Sequence, residues 1–321
     1  MKSCYSYRYF NDFELLAEAA KQWDLEFFQL DSGPANAILS QIANKDISSA
    51  YFSTNRVLRL KGGPPSHMWT IMLSSQIGTE WFLNNQAVPE NAITVYPPGY
   101  DFDNNFRAGY ECYAFYMAPE YFQKACEDLE VPELVNTLRN DDIFECSAAT
   151  KQHLWQRAKA HKYWLDQLAV PEGSADLSFW HDFERELLRD ILLVLAEVKS
   201  IRIKNKFPNR IKIFKTIDNY IEANPFETLT VHDLSRIASV KERTLQHNFQ
   251  KYLGVPPKRY LKSIMLNRVR KELKRGSQNN SAKIYQIANQ FGFWHMGQFA
   301  VDYRRLFGEL PSETLALHLD T

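Results

Sequence analysis

Between Val231 and Leu315 the apolar positions of this chain write one arrangement twice. The first copy runs Val231, Leu234, Val240, Leu245, Phe249, Leu253, Gly254, Pro257, Leu261. The second runs Ile284, Ile287, Phe293, Phe299, Tyr303, Phe307, Gly308, Pro311, Leu315. Three pairs are offset by 53 positions and the other six by 54, so one residue inserted in a turn is the only gap. Self-similarity at a fixed period marks a duplicated unit. In the second copy Ile284, Ile287 and Phe291 share one helical face, and Phe299, Tyr303 and Phe307 form another stripe. Thr230 and Ser281 precede the first helices as N-caps. Gly292 supplies positive φ in the turn, and Gly254 and Gly308 end the second helices. A single stripe would mean an ordinary helical core. Nine matched pairs with these caps predict two helix-turn-helix modules, at about residues 231–254 and 284–308.

Pro256-Pro257 opens a helix predicted to run through Lys274 and to link the modules. Its roughly 17 residues would span about 25 Å, which suits two reading heads in adjacent major grooves about 34 Å apart. Upstream, Ile211, Phe214, Ile217, Tyr220 and Ile221 predict a helix that closes the first module.

From Asp24 to Met117 the pattern is different. Short β-favouring runs, Ser66–Ser74, Ile93–Tyr96 and Cys112–Met117, stand between turn signals such as Gly62-Gly63-Pro64-Pro65 and Pro97-Pro98-Gly99. They predict a cupin-like barrel or sandwich with apolar residues on both faces. Two helices should trail it. The first carries Leu154, Ala158, Leu165 and Leu168, and a loop at Pro171–Ala175 precedes the second, Leu177–Ser200. Leu187, Ile191, Val194 and Val198 form a short heptad seam there, with Leu188, Leu192 and Leu195 beside it. A core helix is the commoner meaning, and a homodimer contact is a further expectation. The fold class is therefore α+β in two domains: residues 1–200, a linker at 201–209, and an all-α domain at 210–321.

Charge sharpens this division. The whole chain is formally neutral, yet residues 207–321 hold 18 Lys and Arg against 10 Asp and Glu, and the rest holds 20 against 28. An acidic sensor joined to a basic nucleic-acid module fits that asymmetry. Cys4, Cys112, Cys126 and Cys146 are scattered without a CxxC, as free thiols of a cytoplasmic protein would be. No apolar run approaches a membrane span and the N-terminus lacks a signal peptide's apolar centre, so no membrane is expected as a partner.

A barrel of this kind could hold a metal. His67 has no second histidine nearby, and His153 and His161, eight apart on a predicted helix, read as surface or cap residues. No GxSxG, Walker loop or GxGxxG occurs. No catalytic residue, metal or cofactor is expected. The rival reading is a cupin-like metal enzyme fused to a DNA-binding tail.

Ile287-Ala288-Asn289-Gln290-Phe291-Gly292-Phe293, with Gln298-Phe299-Ala300 and Tyr303-Arg304-Arg305-Leu306-Phe307-Gly308-Glu309-Leu310-Pro311, resembles the second-motif signature of the AraC/XylS family of bacterial transcription regulators. Arg243-Thr244-Leu245-Gln246 and Gly254-Val255-Pro256-Pro257 are similar to its first-motif landmarks. The N-terminal part is similar, more weakly, to ethanolamine-operon regulators. The resemblance implies double-stranded DNA, RNA polymerase and a small-molecule effector as partners. It implies base reading by Arg243, Gln246 and His247 in the first module and by Met296 and Gln298 in the second. Lys258, Lys262, Arg268, Arg304 and Arg305 are the implied phosphate contacts. His247 stands where the family usually has Arg, Gln298 where Arg is frequent, and Val301 cannot donate a hydrogen bond, so the second module is expected to hold the backbone more than read bases.

Overall fold

The structure, a computed structural model, describes residues 4–20, 23–43, 46–75, 81–84, 86–167, 178–198, 208–277 and 283–316. The described strands are β1 (Cys4–Phe10), β2 (Asp24–Gln29), β3 (Ala37–Ala43), β4 (Ile47–Thr54), β5 (Leu58–Gly63), β6 (Trp69–Ser74), β7 (Trp81–Leu83), β8 (Gln86–Val88), β9 (Ala92–Tyr96), β10 (Phe102–Phe106), β11 (Tyr110–Met117) and β12 (Ile143–Glu145). The helices are α1 (Phe13–Ala19), α2 (Pro119–Asp128), α3 (Leu134–Asn140), α4 (Ala148–Gln167), α5 (Ser178–Glu197), α6 (Pro208–Ala223), α7 (Val231–Ile237), α8 (Glu242–Leu253), α9 (Pro257–Ser277), α10 (Ile284–Gln290), α11 (Met296–Phe307) and α12 (Pro311–Ala316). The chain forms two compact units, one of residues 1–26, 36–55 and 60–204, the other of 27–35, 56–59 and 205–321.

In the first unit a seven-stranded sheet has the order β1-β3-β4-β11-β6-β9-β12, and a five-stranded sheet the order β2-β5-β10-β7-β8. Alternation sets its two faces. Trp69, Ile71 and Leu73 of β6 join Tyr113, Phe115 and Met117 of β11 in a core completed by residues of α2 to α5. The intervening positions face the second sheet, where Tyr96 meets Phe102 at 5.5 Å between ring centroids and Tyr110 meets Phe106 at 4.0 Å. Both faces are buried because both are covered, and the face toward the second sheet is not wholly apolar, since it also carries Thr70, Ser74 and Thr94. β1 and α1 lie upstream of the β-pattern legible in the sequence.

The predicted dimer seam is corrected here. Leu187 and Ile191 are fully buried in this unit's own core, together with Leu188, Leu192 and Leu195, and Val194 and Val198 pack against it. One helix serves the sheet and its neighbouring helices with both stripes, so this seam is not free for a second copy. Leu168, the loop at Pro171–Ala175 and most of the 201–209 linker lie outside the described residues.

In the second unit the first module's core joins Phe214 of α6 to Phe249 and Tyr252 of α8 and Tyr260 of α9 through ring contacts of 4.4 to 5.3 Å. The second core gathers Met265, Leu266, Val269 and Leu273 of α9 with Ile287, Ala288, Phe299, Tyr303 and Phe307. One helix therefore serves both modules. Its 21 residues would span about 31 Å. Segment 27–35 packs within this unit as well. Gln29 Nε2 donates to the Leu306 carbonyl at 2.6 Å, and Asn267 exchanges two hydrogen bonds with the Gln29 backbone.

Candidate nucleic-acid interface

The two modules share a left-handed turn residue and a terminal glycine, and differ at the first N-cap. Thr230 and Asp233 form a capping box at the start of α7, since the Thr230 side chain accepts from the Asp233 N–H and Asp233 accepts from the Thr230 N–H. The Thr230 hydroxyl and then its N–H, both donating to the Asp233 carboxyl, hold that carboxyl below its ordinary range. Ser281, the expected cap of the second module, lies outside the described residues; Lys283 stands at the N-cap of α10 without a side-chain bond. The tight turns use matched left-handed residues, Ser239 at φ 53° and Gly292 at φ 83°. A Cβ on Gly292 would also meet Thr228 Oγ1 at 2.5 Å, so glycine is needed there twice over. α8 and α11 have twelve residues each. Both end in a left-handed glycine, Gly254 or Gly308, whose N–H bonds to the carbonyl of Gln250 or Arg304.

On α8 the buried stripe is Leu245, Phe249 and Leu253, and Arg243, Gln246 and His247 are exposed on the other side. This is the surface a reading helix offers: three side chains that can hydrogen-bond base edges. On α11 the buried stripe is Phe299, Tyr303 and Phe307. Of the two residues singled out there, Gln298 is exposed, but Met296 is half-buried against the second module's core. The positions matching Arg243, Gln246 and His247 are Gly297, Ala300 and Val301.

The five basic residues divide. Lys258, Arg304 and Arg305 are exposed. Lys262 keeps part of its surface but its Nζ lies 2.8 Å from Asp302 Oδ2, tying α9 to α11. Arg268 is turned inward. Its guanidinium donates to the carbonyls of Ile221 and Pro225 at 3.1 and 2.8 Å, satisfying the C-terminal end of α6 and the turn beyond it. That geometry corrects its reading as a phosphate contact.

Several buried polar groups went unread in the sequence. Arg270, 7 % exposed, donates to Glu309 at 2.8 Å and lies over the Phe307 ring at 4.7 Å. Arg59 donates to Asp218 and, at 2.6 Å, to the Tyr260 hydroxyl. In the first unit Ser49 donates to Glu184, the Tyr113 hydroxyl lies 3.1 Å from Ser49 Oγ and beside His161 Nδ1, and His181 Nδ1 is 3.2 Å from Glu184. His161 is 1 % exposed and stacks on Phe183, which corrects its expected place at the surface; His153 is exposed. Burial pushes the His161 imidazole down to about 3 and the Glu184 carboxyl up. No spacing in the sequence announces this network, because its members come from β4, β11, α4 and α5. Among the described residues no three His, Cys, Asp or Glu side chains gather to hold a metal, and no helix is long and apolar enough to cross a membrane.

A family described as "Helix-turn-helix domain" matches residues 234–316. The chain is similar to the XylDLEGF operon transcriptional activator 2 of Pseudomonas putida, 34 % identical over 125 residues, which are 39 % of this chain and 79 % of that protein. It is also similar to a probable thc operon regulatory protein of Rhodococcus erythropolis, 37 % identical over 150 residues. That match spans 46 % of this chain and less than half, 45 %, of the relative. Among solved structures, a probable AraC family transcriptional regulator from Rhodopseudomonas palustris aligns over 33 % of this chain and 96 % of its own, at 31 % identity and a TM-score of 0.30.

Proposed function

The chain belongs to the AraC/XylS family of transcription regulators, and from that premise we propose that it binds specific duplex sites through α8 and α11 and is switched by a small molecule held in its N-terminal unit. The observation that carries the DNA reading is the pairing of two capped twelve-residue helices, each with one face buried and one exposed, on the 21-residue α9. Arg243, Gln246 and His247 read bases from α8; Gln298 stands at the groove on α11, and Met296 serves its packing. Lys258, Arg304 and Arg305 hold phosphates, with Lys262 a weaker contributor because of Asp302. Counterion release makes that share of affinity fall with salt. Selection of DNA fragments by the full chain gives the site. Arg243→Ala or Gln246→Ala should then cost about 1–3 kcal/mol there and relax specificity. Equal losses on random DNA would remove the base-reading role.

The effector reading rests on the interior between the two sheets. Thr94 Oγ1, Tyr96 OH and Asn104 Oδ1 are buried close together there beside the Phe102 ring, with the Tyr96 hydroxyl between the other two. A few convergent polar groups among aromatic rings are what a small-molecule site offers, and a ligand with matching groups would bond to them. Such a ligand acts by binding one arrangement of the protein better than another. The regulator then contacts RNA polymerase at its promoter, and any homodimer forms away from the Leu187–Val198 seam. A ligand that shifts the melting temperature and the DNA affinity together supports the switch. Bound metal or product formation in the purified protein would favour the enzyme rival.

A further inference from the structure

The second reading helix lacks what the first has. Aligned on their terminal glycines, α8 and α11 match Arg243 with Gly297, Gln246 with Ala300 and His247 with Val301. At the three positions where α8 carries Arg243, Gln246 and His247, α11 carries a short residue without a polar side chain, with the exposed Gln298 beside them. Val301 is nevertheless 51 % exposed, on a helix whose core stripe is already complete. Trp294, just before the helix, is 70 % exposed. Around a Cβ built on Gly297 there is open space. Arg304 and Arg305, also exposed, follow Val301 on the same helix, so the strip is set in cationic surroundings that favour a polyanion over an apolar protein partner. In the major groove thymine alone offers an apolar group, its 5-methyl.

We propose that α11 reads thymine by that methyl group, with Val301 and Ala300 as the contacts. The inference rests on the reading above, that α8 and α11 lie in major grooves. Short side chains let the helix come close enough for methyl–methyl contact, and neither Val301 nor Ala300 carries a donor that would favour guanine there.

Replacing each thymine of the selected site in turn by deoxyuridine removes one methyl and nothing else. With the full chain, one or two thymines should weaken binding by about fourfold each, the worth of one buried methyl group. At those same positions Val301→Ala should bind the thymine and deoxyuridine duplexes with nearly equal affinity, while Arg243→Ala keeps the difference. Val301 is exposed, so the variant leaves the core intact. The first half of the test needs no variant. If no thymine responds to loss of its methyl while the intact site is bound, or if the response survives Val301→Ala, the inference is overturned and the DNA reading stands. If the full chain selects no duplex at all, both fall.

Discussion

α8 and α11 have the same length, the same terminal glycine geometry and buried stripes in register, Leu245, Phe249 and Leu253 against Phe299, Tyr303 and Phe307. Their exposed faces differ at three matched positions, Arg243, Gln246 and His247 on α8 against Gly297, Ala300 and Val301 on α11, whereas Gln298, Arg304 and Arg305 keep α11 polar elsewhere. Their supports differ as well. Glu309 follows α11 and takes the buried Arg270, whereas the matching residue after α8 is Val255, 1 % exposed. The left-handed turn residue is Ser239 in one module and Gly292 in the other. The two copies thus keep their terminal glycines and stripe positions, while the first N-cap, the solvent side and the second layer differ.

The largest expected effect tests what the copies share. Phe249→Ala and Tyr303→Ala remove matched, fully buried rings, and each should cost roughly 3–5 kcal/mol in denaturant unfolding of the full chain. A small loss in one module alone would break the equivalence. Next comes the difference in support. Arg270→Met takes the cation from a partly buried pair, and should cost about 2–4 kcal/mol after discounting for the exposure of Glu309. Adding Glu309→Val, the residue of the first module, should recover much of that loss; no recovery would mean that Arg270 acts through the Phe307 ring instead. The smallest effect concerns the turns. Ser239→Gly relieves a left-handed serine and should stabilise by about 1 kcal/mol. Gly292→Ser should destabilise by more, because its Cβ would also collide with Thr228.

Much of the second unit was legible because its code is local. Caps, stripes and glycines sit within a few residues of one another, and the predicted elements at 231–254 and 284–308 appear as α7–α8 and α10–α11. The strands β6, β9 and β11 were readable for the same reason. β1 and α1 lie outside the predicted elements although Tyr5, Tyr7 and Tyr9 alternate with Ser6 and Arg8 at strand period; Tyr7 and Tyr9 are exposed, so beyond Tyr5 that stripe marks no buried face. Whether the α5 stripes face their own sheet or a second copy could not be read from spacing, since the answer depends on β4, β11 and α4. Arg268 and His161 were misplaced because a basic or titratable residue in sequence carries no sign of which carbonyl or hydroxyl will meet it. The resemblance implies base reading by Met296, and it is the packing that shows this side chain half-buried against the core.

The central claim is that the two copies address DNA by different chemistry. An analogue scan of the selected site with the full chain tests it directly, using 7-deazaguanine to delete the N7 acceptor and deoxyuridine to delete the thymine methyl. The account predicts two blocks about one helical turn apart, one weakened by 7-deazaguanine through α8, the other by deoxyuridine through α11. A single block, or two blocks with the same response, would contradict it.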